Sequence, residues 1–319
     1  MKKNILRKMK KYIADPRLLY VRCASKRLAR SSADMGDEEF IKKTFRINLG
    51  YDLDLNDPKT FNEKLNWLKL YNRKDVYTTM VDKHAVKKLV RDSACGKEIG
   101  IAEELGCYES ADEIDFNLLP ERFVLKTTHG CGGMVICKDK SKLDIPAIKK
   151  ELNASLKDNY YCHCREWPYK NVPPKIIAEA FLSDGVHDAL PVYKFFCFDG
   201  EPYIAQVITN DKRPNETIDY IDMDYNKLKL KQNYPNSKAQ LDKPSCFEEM
   251  KGMCRILTKG IPFVRCDLYD VNGKVYFSEF TFFSDAGFTK FHPKSWDRKL
   301  GDLIKLPAPV QSYSNDKAD

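Results

Sequence analysis

Lys126 ends a short apolar run, Phe123-Val124-Leu125, and a glycine-rich loop follows at once, Thr127-Thr128-His129-Gly130-Cys131-Gly132-Gly133. A second apolar run, Met134 to Cys137, comes after it. Two strands joined in this way make a flap. Its glycines let the backbone approach a ligand closely and turn N–H groups toward it. The lysine at the entrance adds a point charge suited to phosphate. An ordinary hairpin with a loose loop has the same pattern, because glycine-rich motifs produce many false matches. The loop is not a Walker A, since no Lys-Ser or Lys-Thr follows its last glycine. It is not a dinucleotide fingerprint either, since no helical pattern comes next.

Near the other end, Phe263–Tyr269 and Lys274–Thr281 read as a hairpin around Asp270-Val271-Asn272-Gly273. Asp, Asn and Gly at these positions suit a type I turn closed by a left-handed Gly bulge. That three-residue loop pairs Asp270 with Lys274, and so Arg265 with Glu279. Side chains alternate along a strand, so Arg265, Asp267, Glu279 and Thr281 share one face. Val264, Cys266, Leu268, Tyr276 and Phe280 share the other with Ser278. Two hard oxygen ligands on a sheet suit Mg²⁺, and a neighbouring arginine can neutralise charge developing on a reacting oxyanion. A surface hairpin with one cross-strand Arg–Glu pair is the bland alternative, worth under ~1 kcal/mol. A two-residue Asn-Gly turn would put Asp267 and Glu279 on opposite faces.

The elements that must carry these residues follow from periodicity and turn chemistry. Residues 2–13 place Ile5, Leu6, Met9, Tyr12 and Ile13 on one helical face among lysines. A short helix is expected from Asp37 to Thr44. Thr60-Phe61-Asn62-Glu63 reads as a capping box for a helix to about Tyr71, with Phe61, Leu65 and Leu68 inward. A second helix is expected from Thr78 to Asp92 along Val81, Ala85, Val86, Leu89 and Val90, with Asp82-Lys83 in its first turn. Ala147 to Leu156 is helical, and Ile176–Phe181 is a buried strand. Tyr193–Phe198 and Tyr203–Ile208 flank an Asp199-Gly200 hairpin turn. Thr209 to Pro244 is polar and irregular, expected to be a mobile substrate-facing loop. A helix from Cys246 to Lys259 leads to the last hairpin, and the tail from Pro307 is expected to fray.

At 319 residues and 43% hydrophobic, the chain can bury a large core in one multi-lobed domain or two. No apolar run approaches the ~20 residues of a membrane span, and no secretory h-region is seen. Eleven cysteines at irregular spacing fit reduced thiols in a cytoplasm. Cys162-His163-Cys164 lacks a second Cys/His pair at zinc-finger spacing, so it reads as thiols rather than a metal site. The net charge of +8 is local: residues 1–30 hold eleven Lys/Arg and one acid, which leaves the other 289 residues at −2. A near-neutral body does not point to nucleic acid. An amphipathic, basic N-terminus could lie on an anionic membrane face, or simply pack on its own domain.

Lys83, Lys126, the glycine loop, Glu179 and the Asp267/Glu279 pair occur in an order similar to that of the ATP-grasp superfamily. More narrowly, the chain resembles the TupA-like ATP-grasp proteins of bacterial polysaccharide gene clusters. The resemblance runs from about Thr60 to Leu306 and includes TFNEKLNWLKLY, DKHAVK, LPERFVLKTTHGCGG, IIAEAF, YKFFCFDGEPY, FVRCDLYDVNGKVYFSEFTFF and GFTKFHP. It implies an α+β fold of two lobes closing on ATP, with a helical region at 51–122 and the ATP-grasp lobes at 123–306; the basic extension at 1–50 and the tail at 307–319 lie outside it. It implies that Lys83 and Lys126 contact phosphates under a flap of Thr128, His129, Gly130, Gly132 and Gly133. Glu179-Ala180-Phe181-Leu182 would be the adenine hinge, with Asp188 as a ribose contact. Asp267 and Glu279 would hold Mg²⁺ with Thr281 as a third contact, and Arg265 would stabilise the reacting oxyanion. The reaction implied is ATP-dependent amide formation through an acyl phosphate, joining an amine to a sugar acid of a surface polysaccharide, free or lipid-linked. Arg213, in the polar stretch, could grip the acidic substrate or the γ-phosphate. A glycan kinase and a non-catalytic glycan- or lipid-binding protein are the rival readings; a glycosyltransferase ranks third.

Overall fold

A computed structural model describes residues 21, 23–25, 27–28, 34–94, 96–211 and 213–308. The amphipathic stretch 2–13 and most of the tail from Pro307 lie outside these. Among the described residues, no helix is long and apolar enough to cross a membrane.

The fold is mixed α+β, built on two sheets. Helix α1 (Asp37–Leu49) runs one turn beyond the expected Thr44 and stops at Gly50, whose φ of 87° is the left-handed geometry of a helix end. Phe40, Ile41 and Phe45 pack with Leu53, Ala286 and Phe288, so α1 rests on the body. Helix α2 (Phe61–Tyr71) starts with the expected capping box: Glu63 N donates to Thr60 Oγ1 at 3.2 Å, and Thr60 N donates to Glu63 Oε2 at 2.8 Å. Phe61, Leu65 and Leu68 are buried, as the periodicity requires.

The expected helix Thr78–Asp92 is two helices, α3 (Val76–Val81) and α4 (Ala85–Ser93). The chain leaves the helix at Asp82 (φ −73°, ψ 112°). The Asp82 carboxylate then accepts from the N–H groups of His84 (2.8 Å) and Ala85 (3.3 Å). A side chain that competes with the ladder for orphan amides can end one helix and start another. The apolar stripe runs across the break, so periodicity alone hides it.

The smaller sheet has the order β2 (Glu104–Tyr108), β5 (Ile176–Ala180), β3 (Phe123–Thr127), β4 (Met134–Cys137). Helix α5 (Ile145–Leu156) covers one face through Leu152, above Phe123, Leu125, Ile176 and Ala178. The larger sheet has the order β1 (Gly100–Ile101), β10 (Lys274–Thr281), β9 (Val264–Val271), β6 (Val192–Phe198), β7 (Glu201–Thr209), β8 (Thr217–Asp222). Its core packs on α2 and α6 (Phe247–Leu257) through Phe61, Phe195, Phe196, Phe247, Met250 and Phe263. The region expected to be a mobile loop, Thr209 to Pro244, contains β8, which pairs antiparallel with β7. Its polar side chains conceal it: Asp219 is fully buried but bonded to Lys227 at 2.7 Å.

The last helix among the described residues, α7 (Ser295–Leu303), crosses the start of α2 at Gly301. A Cβ there would come within 2.6 Å of Thr60 C and 2.7 Å of Phe61 N. Gly301→Ala is therefore expected to destabilise the protein by ~1–3 kcal/mol, the usual cost of overpacking against backbone that cannot yield. A thermal melt checks this; an unchanged midpoint would mean that the two helices separate freely.

Candidate active site

The last hairpin sets the geometry of the site, and its register differs from the expectation. Asn272 (φ 54°) and Gly273 (φ 81°) form a two-residue turn that pairs Val271 with Lys274. Left-handed geometry at both positions is what such a turn requires. Continued without interruption, this register would send Asp267 and Glu279 to opposite faces. A β-bulge at Ser278 inserts the missing residue. Asp267 consequently pairs directly with Glu279, and Arg265 with Thr281 rather than with Glu279. The bulge also corrects the apolar face: Val275, Phe277 and Phe280 are buried, while Tyr276 is only half-buried.

Asp267 has no exposed surface. It accepts from Arg265 Nε at 2.7 Å and Nη2 at 2.9 Å, and pairs with Lys194 Nζ at 2.9 Å. Lys194 comes from β6, directly opposite Asp267 in register. The Thr281 hydroxyl accepts from Arg265 Nη2 at 2.9 Å and so fixes the guanidinium. Glu279 reaches Arg265 only at 3.7 Å, and its side chain remains 39% exposed. Burial raises the Glu279 pKa, but Lys194, Lys83, Arg265 and Lys126 outweigh it and hold the carboxyl down at about 2. The same cations link the hairpin to the smaller sheet.

On that sheet, Lys126 Nζ bonds Glu179 Oε2 at 2.6 Å, and Lys87 Nζ from α4 bonds Glu179 Oε1 at 2.9 Å. Lys87 also reaches Glu104 at 3.3 Å. Burial raises the Glu179 pKa, and the two lysines lower it further than burial raises it. Burial lowers the Lys126 pKa; Glu179 chiefly reverses this and leaves it raised. Lys83 stands at the break between α3 and α4, where its ammonium donates to the Gly130 carbonyl. Burial holds its pKa down, against the attraction of Glu279.

Beneath the glycine loop, the Thr128 hydroxyl donates to Pro173 O at 2.7 Å, and Thr128 N donates to Lys175 O at 2.9 Å. His129 Nε2 lies 3.0 Å from Asp158 O. These side chains are spent on anchoring the loop's entry. Gly133, at φ 58°, sits where a Cβ would meet Thr127 Cγ2 at 2.7 Å and Ser155 Cβ at 2.8 Å. Past Ala180, the Phe181 ring lies under Arg122, whose guanidinium is 4.2 Å from the ring centroid, and Leu182 is half-buried. Asp188 and Arg213, predicted for separate tasks, pair with each other, and Asp188 also pairs with Lys138 on the strand side of the flap. Arg213 additionally donates to the Asp188 carbonyl at 3.0 Å.

Sequence reasoning missed Lys87 and Lys194. Lys87 lies four residues after Lys83, one helical turn on, and Lys194 is the lone charge in an aromatic strand, YKFFCF. It also missed a turn after the hairpin in which Asp285 (φ 47°), Ala286 (φ 54°) and Gly287 (φ 70°) are all left-handed. Two non-glycine residues there cost ~1–2 kcal/mol each. The turn is clamped by α2: Lys69 Nζ donates to Ala286 O at 2.7 Å, and Asn66 Nδ2 donates to Gly287 O at 2.8 Å. Asp285 lies within electrostatic range of Arg265 and Lys194, and burial raises its pKa against their pull.

No curated protein matches the chain. Among solved structures, D-alanine–D-alanine ligase from Bacillus anthracis complexed with ATP is 16% identical, with a TM-score of 0.42 over 85% of this chain and 74% of that one. D-alanine–D-alanine ligase from Helicobacter pylori is 12% identical, with a TM-score of 0.42 over 78% of this chain and 68% of that one. The ATP-grasp ligase PsnB, complexed with minimal precursor, Mg and ADP, is 13% identical, with a TM-score of 0.38 over 81% and 66% of the two chains. The decisive comparison is with the family model for TupA-like ATPgrasp, which matches residues 63–305: the chain belongs to the TupA-like ATP-grasp family and is an ATP-dependent ligase.

Proposed function

We propose that this chain joins a carboxylate to an amine at the surface formed by the last hairpin and the flap, and that the acid is a sugar acid of a surface polysaccharide. The observation that carries the reaction class is the direct pairing of Asp267 with Glu279, opposite the lysines Lys83 and Lys126. Family membership supports the ATP chemistry; the polysaccharide assignment rests on the sequence resemblance alone.

The residues fit Mg²⁺ with a nucleotide. Hard cations take carboxylate oxygens, and Glu279 is fully ionised at neutral pH with a solvent-facing side chain. Asp267 and Glu279 would hold the ion, with Thr281 beside them. Lys83, Lys126 and the backbone of Gly130, Gly132 and Gly133 would hold phosphates, with Thr128 and His129 fixing the loop's base. Glu179 to Leu182 would flank the base and sugar. ATP supplies the phosphoryl group that activates the carboxylate, and the metal neutralises the charge on it. Arg265, held by Asp267 and Thr281, is preorganised to stabilise negative charge at the reacting carbon's oxygen, at no further reorganisation cost. Lys194 holds Asp267 in place from the neighbouring strand. Phosphoryl transfer asks the protein for positioning and charge neutralisation rather than covalent help.

ADP release measured with and without an amine, followed by mass spectrometry of the product, tests the reaction class. Amine-dependent release with an amide product is expected. Release without any amine, with a phosphorylated glycan as product, would make the protein a kinase.

The carboxylates separate by their burial. Glu279→Gln should cut turnover by about a hundredfold or more, since metal charge stabilisation is worth several kcal/mol and each ~1.4 kcal/mol is a factor of ten, and should lower the melting temperature less than Asp267→Asn does, because its side chain is 39% exposed. Asp267→Asn should lose turnover and also melt earlier, because it leaves Arg265 and Lys194 without their buried partner, a loss of ~3–5 kcal/mol. Wild-type turnover in Glu279→Gln removes the metal assignment.

Lys126→Ala should weaken ATP binding by at least about tenfold, as a charge-assisted contact contributes ~1.5–3 kcal/mol. Calorimetric titration with ATP and Mg²⁺ measures it, and an unchanged affinity would return the flap to an ordinary hairpin.

A further inference from the structure

We propose that His84, Glu104 and Cys107 form a binding site for a borderline divalent metal, with Zn²⁺ as the best match, separate from the Asp267–Glu279 face. One ring nitrogen, one carboxylate oxygen and one thiol sulfur lie within 4.8 Å of one another. Imidazole, carboxylate and thiolate together suit zinc, whereas a thiolate is a poor ligand for Mg²⁺.

Two local features bring these residues together. Glu104 and Cys107 are three residues apart on β2, and a regular strand would turn them to opposite faces. A β-bulge between Glu104 and Gly106 breaks the alternation: Glu104 pairs with Glu179, Gly106 with Ala178 and Cys107 with Ile177. Leu105 and Tyr108 then pack into the core behind the sheet, and Glu104 and Cys107 face outward. Gly106 makes this compact, since a Cβ there would strike the Tyr108 ring, 2.7 Å from its Cζ. The third residue, His84, is delivered by the break at Asp82, which caps the amide of His84 and projects its ring from the start of α4. Bulges commonly re-aim side chains at functional sites.

In the structure His84 Nδ1 lies 2.9 Å from Glu104 Oε1, so an ion would replace a hydrogen bond with two coordinate bonds. A His–Glu pair alone makes no use of the thiol, and the thiol separates the two readings. Burial raises the Cys107 pKa, as do Glu104, Asp82 and Glu109, while Lys175 opposes them; the metal would have to displace its proton. A groove of about 600 Å³ reaches His84 and Glu104, and Cys107 is itself exposed. Three protein ligands leave a fourth position to water, as in exchangeable rather than closed structural sites. The ion would bridge the segment bearing Lys83 to the strand beside Glu179, since Glu104 shares Lys87 with Glu179.

The test uses the full chain, stripped with chelator and titrated with CoCl₂ and then ZnCl₂ without nucleotide. A single equivalent of cobalt should produce a near-ultraviolet thiolate-to-metal band, which zinc displaces. Cys107→Ser should abolish the band. His84→Gln should weaken cobalt binding by at least about tenfold, the loss that even outer-shell partners cause. Cys162→Ser, at another exposed thiol, should leave both unchanged. Absence of the band, its persistence in Cys107→Ser, or its loss in Cys162→Ser overturns the proposal. None of these readouts depends on the ligase reaction.

Discussion

Asp267 is a carboxylate with no exposed surface, and the site depends on how it is neutralised. Arg265 grips it with two nitrogens from two residues earlier on the same strand, and Lys194 reaches it from the next strand. Taking a carboxylate out of water costs several kcal/mol, and the surrounding charges repay this only with good geometry. Here the geometry is imposed by the sheet: Lys194 and Asp267 are register partners, and so are Asp267 and Glu279. The three central strands of the larger sheet therefore converge on one carboxylate. The guanidinium that neutralises it is also fixed by Thr281, on the third of those strands.

Alternating charge extends this order to the smaller sheet. Glu279 lies among Lys194, Lys83, Arg265 and Lys126. Lys126 shares Glu179 with Lys87, and Lys87 shares Glu104 with His84. No lysine in this chain of contacts is left without a carboxylate or carbonyl partner, because Lys83 bonds the Gly130 carbonyl. A buried cation without such a partner would tend to lose its proton. The arrangement keeps positive charge beside the glycine loop and holds it at fixed positions.

Strain collects close by. Three consecutive left-handed residues follow the hairpin, and the buried Lys69 and Asn66 of α2 hold two of their carbonyls. Lys69 donates as well to Cys164 O and to Asn66 Oδ1, so its three protons are all placed. Burial holds its pKa down, while Glu166 chiefly opposes the shift. The helix opened by the capping box thus does more than fill the core: Asn66 and Lys69 clamp the loop that emerges from the last hairpin. Helix α1 backs the same loop through Phe40 and Phe45 against Ala286 and Phe288.

Local rules made much of this readable from the residues. The capping box at Thr60 and Glu63, the strand–loop–strand around Lys126, the buried strand before Phe181 and the Asp199-Gly200 turn all depend on neighbours within a few positions. The order in which Lys83, Lys126, Glu179, Arg265, Asp267 and Glu279 occur is readable for another reason, being a property of the sequence itself. The hairpin register could not be read in this way. The expected three-residue turn and the actual two-residue turn with a bulge at Ser278 both put Asp267 and Glu279 on one face, but only the second makes them direct partners. Choosing between them requires the packing of Val275, Phe277 and Phe280 on the core, which the turn sequence does not contain. The break at Asp82 was hidden by an apolar stripe that runs across it; the strand Thr217–Asp222 and the tasks of Lys87 and Lys194 were closed to the sequence for a reason related to the register. The strand is decided by its pairing with β7, Lys87 by Glu179 and Lys194 by Asp267, contacts that only the folded chain brings about. A charged residue looks solvent-exposed until the tertiary structure supplies the opposite charge that lets it be buried.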